Sequence, residues 1–479
     1  MAMSSIFAST LKNMSWFKRK KKNPKVLVIG LDCVTPQLVF DQFAEDMPTF
    51  SSLRNQGGYG LLESVIPPIT VPAWACMTTG KHPGTLGIYG FRNRTSYEYD
   101  KLGITTSSSI QEKAIWDYLG DAGKESIIMG IPPGFPPKQM RGYAISCFLT
   151  QDTSSAFTYP PELKDEIQMY VGDYQFDVRN FRTDDKQWLL DQIYQLTEQR
   201  FRVATHLMTN KPWDFFMFVD MGPDRLHHGF WKYFDKEHIH YEPGNPFENA
   251  MREYYRFLDN QLKLFLEQVE DDVQVLIVSD HGAKRMDGGI CINEWLMQEG
   301  YLKLSKPPEG IQRFEELDVD WANTTAWGEG GYYSRIFLNV QDREPQGKIP
   351  PDKYESVRDE LIQKLEALGD EHGNPIGTKV HKPQDIYKQV NGIAPDLITI
   401  FGDLHWRSVG TVGWNTVWVH ENDTGPDDAN HAQHGILVSH NIKQMRGRLK
   451  GLHLTQITPT VLKLMDQPLP PDLESPPMF

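Results

Sequence analysis

The sequence predicts an α/β fold, a mainly parallel sheet with helices on both faces and an inserted subdomain. Three observations predict it: short apolar runs that end in an acidic residue, long stretches at helical spacing between them, and a change of character over residues 302–425. Taken in chain order, residues 25–31 (KVLVIGL) form a β-branched apolar run that delivers Asp32 at its carboxyl end. The same pattern returns at Trp213 to Val219, ending in Asp220, and at Val273 to Ser279, ending in Asp280-His281-Gly282. It appears again at Leu397 to Phe401, ending in Gly402-Asp403. Helical stretches such as Trp188 to Leu207 and Met251 to Val269 lie between them. Strands alternating with helices place reactive residues outside the carboxyl ends of a parallel sheet.

The domain reading follows: a leader over 1–23, a core made of 24–301 and 426–479, and an insert or lid over 302–425, marked by Pro307-Pro308, Gly328-Glu329-Gly330-Gly331, Pro350-Pro351 and a charged helix from Asp352 to Leu368. In the leader, Met3, Ile6, Phe7, Leu11, Met14 and Phe17 recur at helical spacing before Lys18-Arg19-Lys20-Lys21-Lys22. A disordered, solvated segment and a helix lying on an anionic membrane surface both fit; the pattern does not read as a signal peptide. No run approaches the roughly 20 apolar residues of a membrane span. The expectation is a cytoplasmic protein, with peripheral membrane contact through the leader as the alternative.

A formal charge of −14 over 479 residues argues against gripping a nucleic-acid backbone, which needs an excess of Lys and Arg. An acidic protein acting on an anionic small molecule would depend on metal to offset its own field. Cys33, Cys76, Cys147 and Cys291 form no CxxC pair, so they read as buried small apolar residues rather than a disulfide framework or zinc ribbon.

The chemistry concentrates just past strand ends. Asp280 and His281 pair an oxygen with an imidazole, and Asp224 and His228 stand four apart, on one face of a helix. Asp32 adds another carboxylate and His431 another imidazole; mixed carboxylate and imidazole donors suit zinc and tolerate manganese. Thr70, in Pro67-Pro68-Ile69-Thr70-Val71-Pro72-Ala73-Trp74, stands where a helix begins. Its hydroxyl fits two roles there, an N-cap or a nucleophile facing free N–H groups.

In order, Gly-Leu-Asp32, Thr70-Val-Pro-Ala-Trp with Thr79-Gly80 and Gly87-Ile88, Asp224-Arg-Leu-His-His228 with Trp231, Ser-Asp280-His281-Gly282 with Ile292-Asn-Glu-Trp-Leu296, and His431 four before Gly435 resemble the alkaline-phosphatase superfamily. More closely, they resemble the type I phosphodiesterase/nucleotide pyrophosphatase family. The resemblance implies an alkaline-phosphatase-like three-layer sandwich and two divalent metals. Asp224, His228 and His431 would hold one, and Asp32, Asp280 and His281 the other, with Thr70 touching the second. It further implies a phospho-threonine intermediate on Thr70, and a phosphoryl-binding asparagine for which Asn93 is the nearest match. His434 also precedes Gly435, but His431 has the fitting offset.

The chain departs from the family's nucleotide-cleaving members in reading Val71-Pro72-Ala73-Trp74 where they usually have Phe-Pro-Asn-His. A sulfatase is excluded because Thr70 cannot mature to formylglycine. A phosphomonoesterase or phosphomutase of the same superfamily, and an inactive phosphate- or partner-binding protein, stay as alternatives. Lys81 and Arg92 are the first cations after Thr70 in sequence, so a singly charged diester or pyrophosphate is favoured over a monoester. Trp321, Trp327, Tyr332 and Tyr333 of the insert would either stack on a base or form its core.

Overall fold

The computed structural model describes residues 23–479, so the basic leader, apart from residue 23, lies outside the described residues. The Val26–Leu31 and Phe215–Asp220 strands are buried at every position. Because alternate side chains point to opposite faces, continuous burial means that both faces of the sheet are covered. Each fully buried Val, Leu, Ile or Phe contributes about 1.5–3 kcal/mol of transfer free energy.

The main sheet runs in the order Gly447–Arg448, Gly58–Glu63, His434–His440, Gln274–Val278, Val26–Leu31, Phe215–Asp220, Ser126–Met129, Gly142–Ile145, Thr158–Tyr159. The pairings from Gln274–Val278 through to Gly142–Ile145 are all parallel. His434–His440 runs antiparallel to both of its neighbours. The sheet is therefore mixed and mostly parallel, with helices packed against it.

Register sets up the site. Gly30 lies opposite both Val219 and Val278, so the chain leaves three adjacent strands at the same level, and Asp32 and Asp280 emerge together. The Asp32 amide donates to Asp220 O at 3.0 Å. Asp220 itself turns inward, accepting from Thr197 Oγ1 at 2.8 Å and from the Gly222 amide. Its strand contributes to the site one turn later, through the Gly222–Phe234 helix that carries Asp224 and His228.

A second, antiparallel sheet joins Ala326–Glu329, Ser334–Leu338, Leu397–Ile400 and Lys379–His381, with its own apolar cluster running from Ile290 to Val417. Here the sequence reading needs correction. The Leu397 strand resembles the parallel ones in composition, yet it pairs antiparallel with both neighbours in this second sheet. Asp403 beyond it is largely exposed and pairs with Lys284 at 2.9 Å, away from the site. A short apolar run signals burial but not which sheet buries it.

A Cβ at Gly30 would meet Trp74 Cη2 at 2.5 Å, Val219 Cγ2 at 2.8 Å and Phe218 O at 3.0 Å. Gly30→Ala is therefore expected to destabilise by about 1–3 kcal/mol through overpacking. Urea unfolding measures it; a stability equal to wild type would show that Trp74 can move freely.

Candidate metal centre

The Thr70–Thr79 helix is buried along its whole length and begins beside Asp32 and His281. The capping position belongs to Ile69, and Thr70 makes no capping hydrogen bond. Its hydroxyl instead lies 3.3 Å from His281 Nε2. One turn on, Trp74 Nε1 donates to Asp32 Oδ2 at 2.7 Å. An unusual backbone follows Asp32: Cys33 sits at φ +65°, a left-handed conformation that costs a side-chain-bearing residue about 1 kcal/mol or more.

Three histidines are fixed in the same way. His228 Nδ1 meets Asp427 Oδ1 at 2.7 Å, His281 Nδ1 meets Gly282 O at 3.1 Å, and His431 Nδ1 meets Pro68 O at 2.9 Å. With Nδ1 committed, each ring turns Nε2 toward the common space, as outer partners do for metal-ligating imidazoles. The carboxylates repeat the pattern. Asp32 Oδ2 is held by Trp74, Asp224 Oδ2 by Arg225, and Asp280 Oδ1 by the Cys33 amide at 3.3 Å.

What remains is a set of buried atoms without hydrogen-bond partners: Asp32 Oδ1, Asp224 Oδ1, Asp280 Oδ2 and His431 Nε2. Their near neighbours are one another. Asp224 Oδ1 lies 3.3 Å from His228 Nε2 and 3.8 Å from His431 Nε2, while His281 Nε2 lies 3.2 Å from Asp280 Oδ2 and 3.8 Å from Asp32 Oδ1. Asp224, His228 and His431 converge within 4.8 Å, as do Asp32, Asp224 and His281. Asp280 adjoins the second group through His281.

The electrostatics have a gap of matching sign. Burial, reinforced by Asp224, pushes Asp32 well above the usual carboxylate range, and burial together with Asp32 does the same to Asp280. Burial opposes ionisation of Asp224 too, but His228 and Arg225 hold it well below that range. Burial pushes His281 down to about 4 and His431 well below its ordinary value, so both rings are neutral donors near pH 7. Crowded carboxylates beside neutral imidazoles fit a divalent cation, which supplies the missing positive charge.

Of the residues singled out in the sequence, Asp32, Thr70, Asp224, His228, Asp280, His281 and His431 come together. His434 is exposed. Asn93 is occupied locally: its Oδ1 accepts from the Tyr89 amide at 2.7 Å, and its Nδ2 donates to Gly90 O and Thr105 Oγ1. The insert's aromatics divide. Trp327 and Tyr333 are buried, and Trp321 stacks on Tyr99 at 3.6 Å. Tyr332 alone reaches the centre, stacking on His431 at 4.0 Å with its hydroxyl 3.3 Å from His228 Nε2.

Sequence reasoning missed Asp427, Arg182 and Arg225, which surround His228 and Asp224. Arg182 Nη2 donates to Asp427 Oδ2 at 2.9 Å and to the Tyr332 hydroxyl at 3.0 Å. Nothing in the Pro426-Asp427-Asp428 stretch marks it as a histidine's partner. Trp74 was visible only as part of a motif, although its offset of four from Thr70 puts both on one helical face.

Fold and site together define an α/β protein with a buried carboxylate and imidazole centre at the carboxyl edge of its sheet. The chain belongs to the type I phosphodiesterase / nucleotide pyrophosphatase family, whose model matches residues 26–436. Among solved structures it is similar to murine ectonucleotide pyrophosphatase / phosphodiesterase 5, an inactive variant in complex with AMP. That match has a TM-score of 0.54 at 14% identity and covers 94% of this chain and 96% of that one. The human counterpart gives 0.52 at 14% identity, covering 93% and 96%. No curated protein sequence matches significantly.

Asp427→Asn and Trp74→Phe each remove an outer partner while leaving the ligands, and should weaken zinc binding by roughly 10–100-fold. Competition with a chromophoric chelator reads this out. Asp32 and Asp280 hold protons above the usual carboxylate range, whereas a cation needs them ionised. Zinc uptake should therefore release protons and tighten as pH rises; calorimetry in buffers of different ionisation enthalpy would expose a pH-independent uptake, the contrary result.

Proposed function

We propose that the chain hydrolyses phosphodiester or pyrophosphate bonds through a phospho-threonine intermediate on Thr70. The observation that carries this reading is a single hydroxyl, free of capping duty, set 3.3 Å from His281 within a ring of converging donors. Asp224, His228 and His431 would hold one divalent cation and Asp32, Asp280 and His281 the other, with zinc suiting the donors and manganese tolerated. Such a pair, when bound, supplies Lewis-acid stabilisation to the attacking and leaving oxygens of an in-line displacement.

Thr70 Oγ1 forms the new bond to phosphorus as the bond to the leaving oxygen breaks. Water then displaces Thr70, releasing a phosphomonoester. The first-turn amides of Thr70 and Val71 have no intrahelical acceptor, so they can receive phosphoryl oxygens at the positive end of the helix. Trp74 keeps Asp32 in place throughout, and in this chain the Val71-Pro72-Ala73-Trp74 stretch serves that purpose. Asn93, with its amide engaged elsewhere, is not needed for this chemistry.

The cations around the centre favour a diester over a monoester. Arg182 is bound to Asp427 and Arg225 to Asp177 and Asp224, while Lys81, past the far end of the Thr70–Thr79 helix, is bound to Asp472. Arg92 is exposed. With Arg182 and Arg225 each paired to a carboxylate, the centre suits a singly charged group better than a dianion. The murine relative's complex with AMP makes a nucleoside phosphate ester the first candidate, with Tyr332 the aromatic side chain at hand to contact it.

Rates on bis-p-nitrophenyl phosphate and p-nitrophenyl phosphate, measured with the metal-loaded chain, test this. The diester should be preferred, and Thr70→Ala should lose roughly 10³-fold or more in kcat with its metal content unchanged. Full activity in Thr70→Ala would remove the nucleophile. A monoester preference above about tenfold, or 1.4 kcal/mol in transition-state terms, would overturn the diesterase reading.

A further inference from the structure

Cys33 reads in the sequence as a buried small apolar residue, and the structure buries it as a free thiol in a place that offers a further role. The residue is fully buried directly after Asp32. Its Sγ and a ring nitrogen from each of His281 and His431 lie within 4.8 Å of one another. His431 Nε2 is itself buried without a hydrogen-bond partner. The thiol donates to Gly282 O at 3.4 Å, a weak contact as S–H donors make, and the Asp224 carboxylate faces it as well.

The backbone adds a second argument. At φ +65° glycine would sit without strain, yet the chain carries a side chain there. A residue held in a sparsely populated conformation at a functional site points from the strain to a use. The backbone at this residue also works for the centre, since its amide holds Asp280 Oδ1 at 3.3 Å. A left-handed turn thus directs the amide at one ligand and the sulfur at two others.

The geometry points to Cys33 Sγ as a sulfur donor to the cation of the Asp32, Asp280 and His281 set, on the side that faces His431, making the centre selective for thiophilic metals such as zinc and cadmium over manganese and magnesium. The inference rests on the two-metal reading of the same site. It adds a soft ligand to a set otherwise composed of carboxylates and imidazoles, and soft donors shift selectivity toward zinc-like ions whereas oxygen-rich sites accept manganese and magnesium. A site with sulfur would discriminate between metals that carboxylate and imidazole alone would accept in turn.

Cobalt(II) is the probe, because a thiolate ligand gives it a near-ultraviolet charge-transfer band that carboxylate and imidazole do not. The full chain and its Cys33→Gly and Cys33→Ser variants are loaded with cobalt, and bound cobalt is counted alongside the spectrum. Cys33→Gly suits the backbone and so secures a folded comparison. The wild type should bind about two equivalents and show the band. Both variants should keep the cobalt and lose the band, and their zinc-over-manganese preference should fall by about tenfold. Two bound cobalt ions without the band, or an unchanged metal preference in the variants, would overturn the sulfur donor and leave the two-metal reading standing. No cobalt uptake by any of the chains would overturn both.

Discussion

Everything at the centre follows from burying Asp32, Asp224 and Asp280 close to one another at the carboxyl edge of an open, mostly parallel sheet. Three carboxylates in so little space, without water, are costly to ionise. The chain answers with Arg225 and His228 on Asp224 and only a neutral indole N–H on Asp32, which leaves Asp32 and Asp280 without a positive partner. The imidazoles of His281 and His431 do not supply the rest, because burial keeps them neutral. The unmet demand is for a cation, and every outer hydrogen bond in the site keeps the remaining lone pairs turned toward one. The orientation of these donors is decided in advance by their outer hydrogen bonds, which is what preorganisation means.

The fold supplies this arrangement through register. Strands that pair in parallel at the same level release Asp32 and Asp280 side by side, and the helix after the third strand brings Asp224 and His228 back over them. The Ala429–Ala432 strand pairs antiparallel with Gly282–Arg285 and sets His431 opposite Ala283, so that His431 arrives next to His281 with ring centroids 3.8 Å apart. From the other side the second sheet contributes Tyr332, which covers His431. The residues joined in this way are hundreds of positions apart, and the sheet is what makes them neighbours.

Much of this was legible in the sequence, for physical reasons that also explain what was not. Asp32, Asp280 and His281 announce themselves because a buried strand leaves a strong apolar signal and its end is marked by the first charged residue. Asp224 and His228 share a helical face, which spacing alone reveals. The fold class and the family were readable from the order of such signals. The Leu397 strand misled because composition reports burial and not pairing partner. Asp427 and Arg182 were invisible, since a residue that orients a ligand across 199 positions of chain leaves no local pattern. The left-handed backbone at Cys33 was not legible either, because a positive φ at a non-glycine residue cannot be read from sequence. That Ile69 rather than Thr70 takes the capping position needed coordinates to see, as a cap and a nucleophile occupy the same place in the chain.

The most direct test of the account is elemental analysis of the chain after equilibration with zinc and removal of excess. The account predicts about two equivalents per chain in the wild type, falling to about one in His431→Ala and lower still when Asp32 and Asp224 are replaced together by asparagine. A wild type that retains no zinc, or a zinc content that the double replacement leaves untouched, would contradict the claim that these buried donors exist to hold metal.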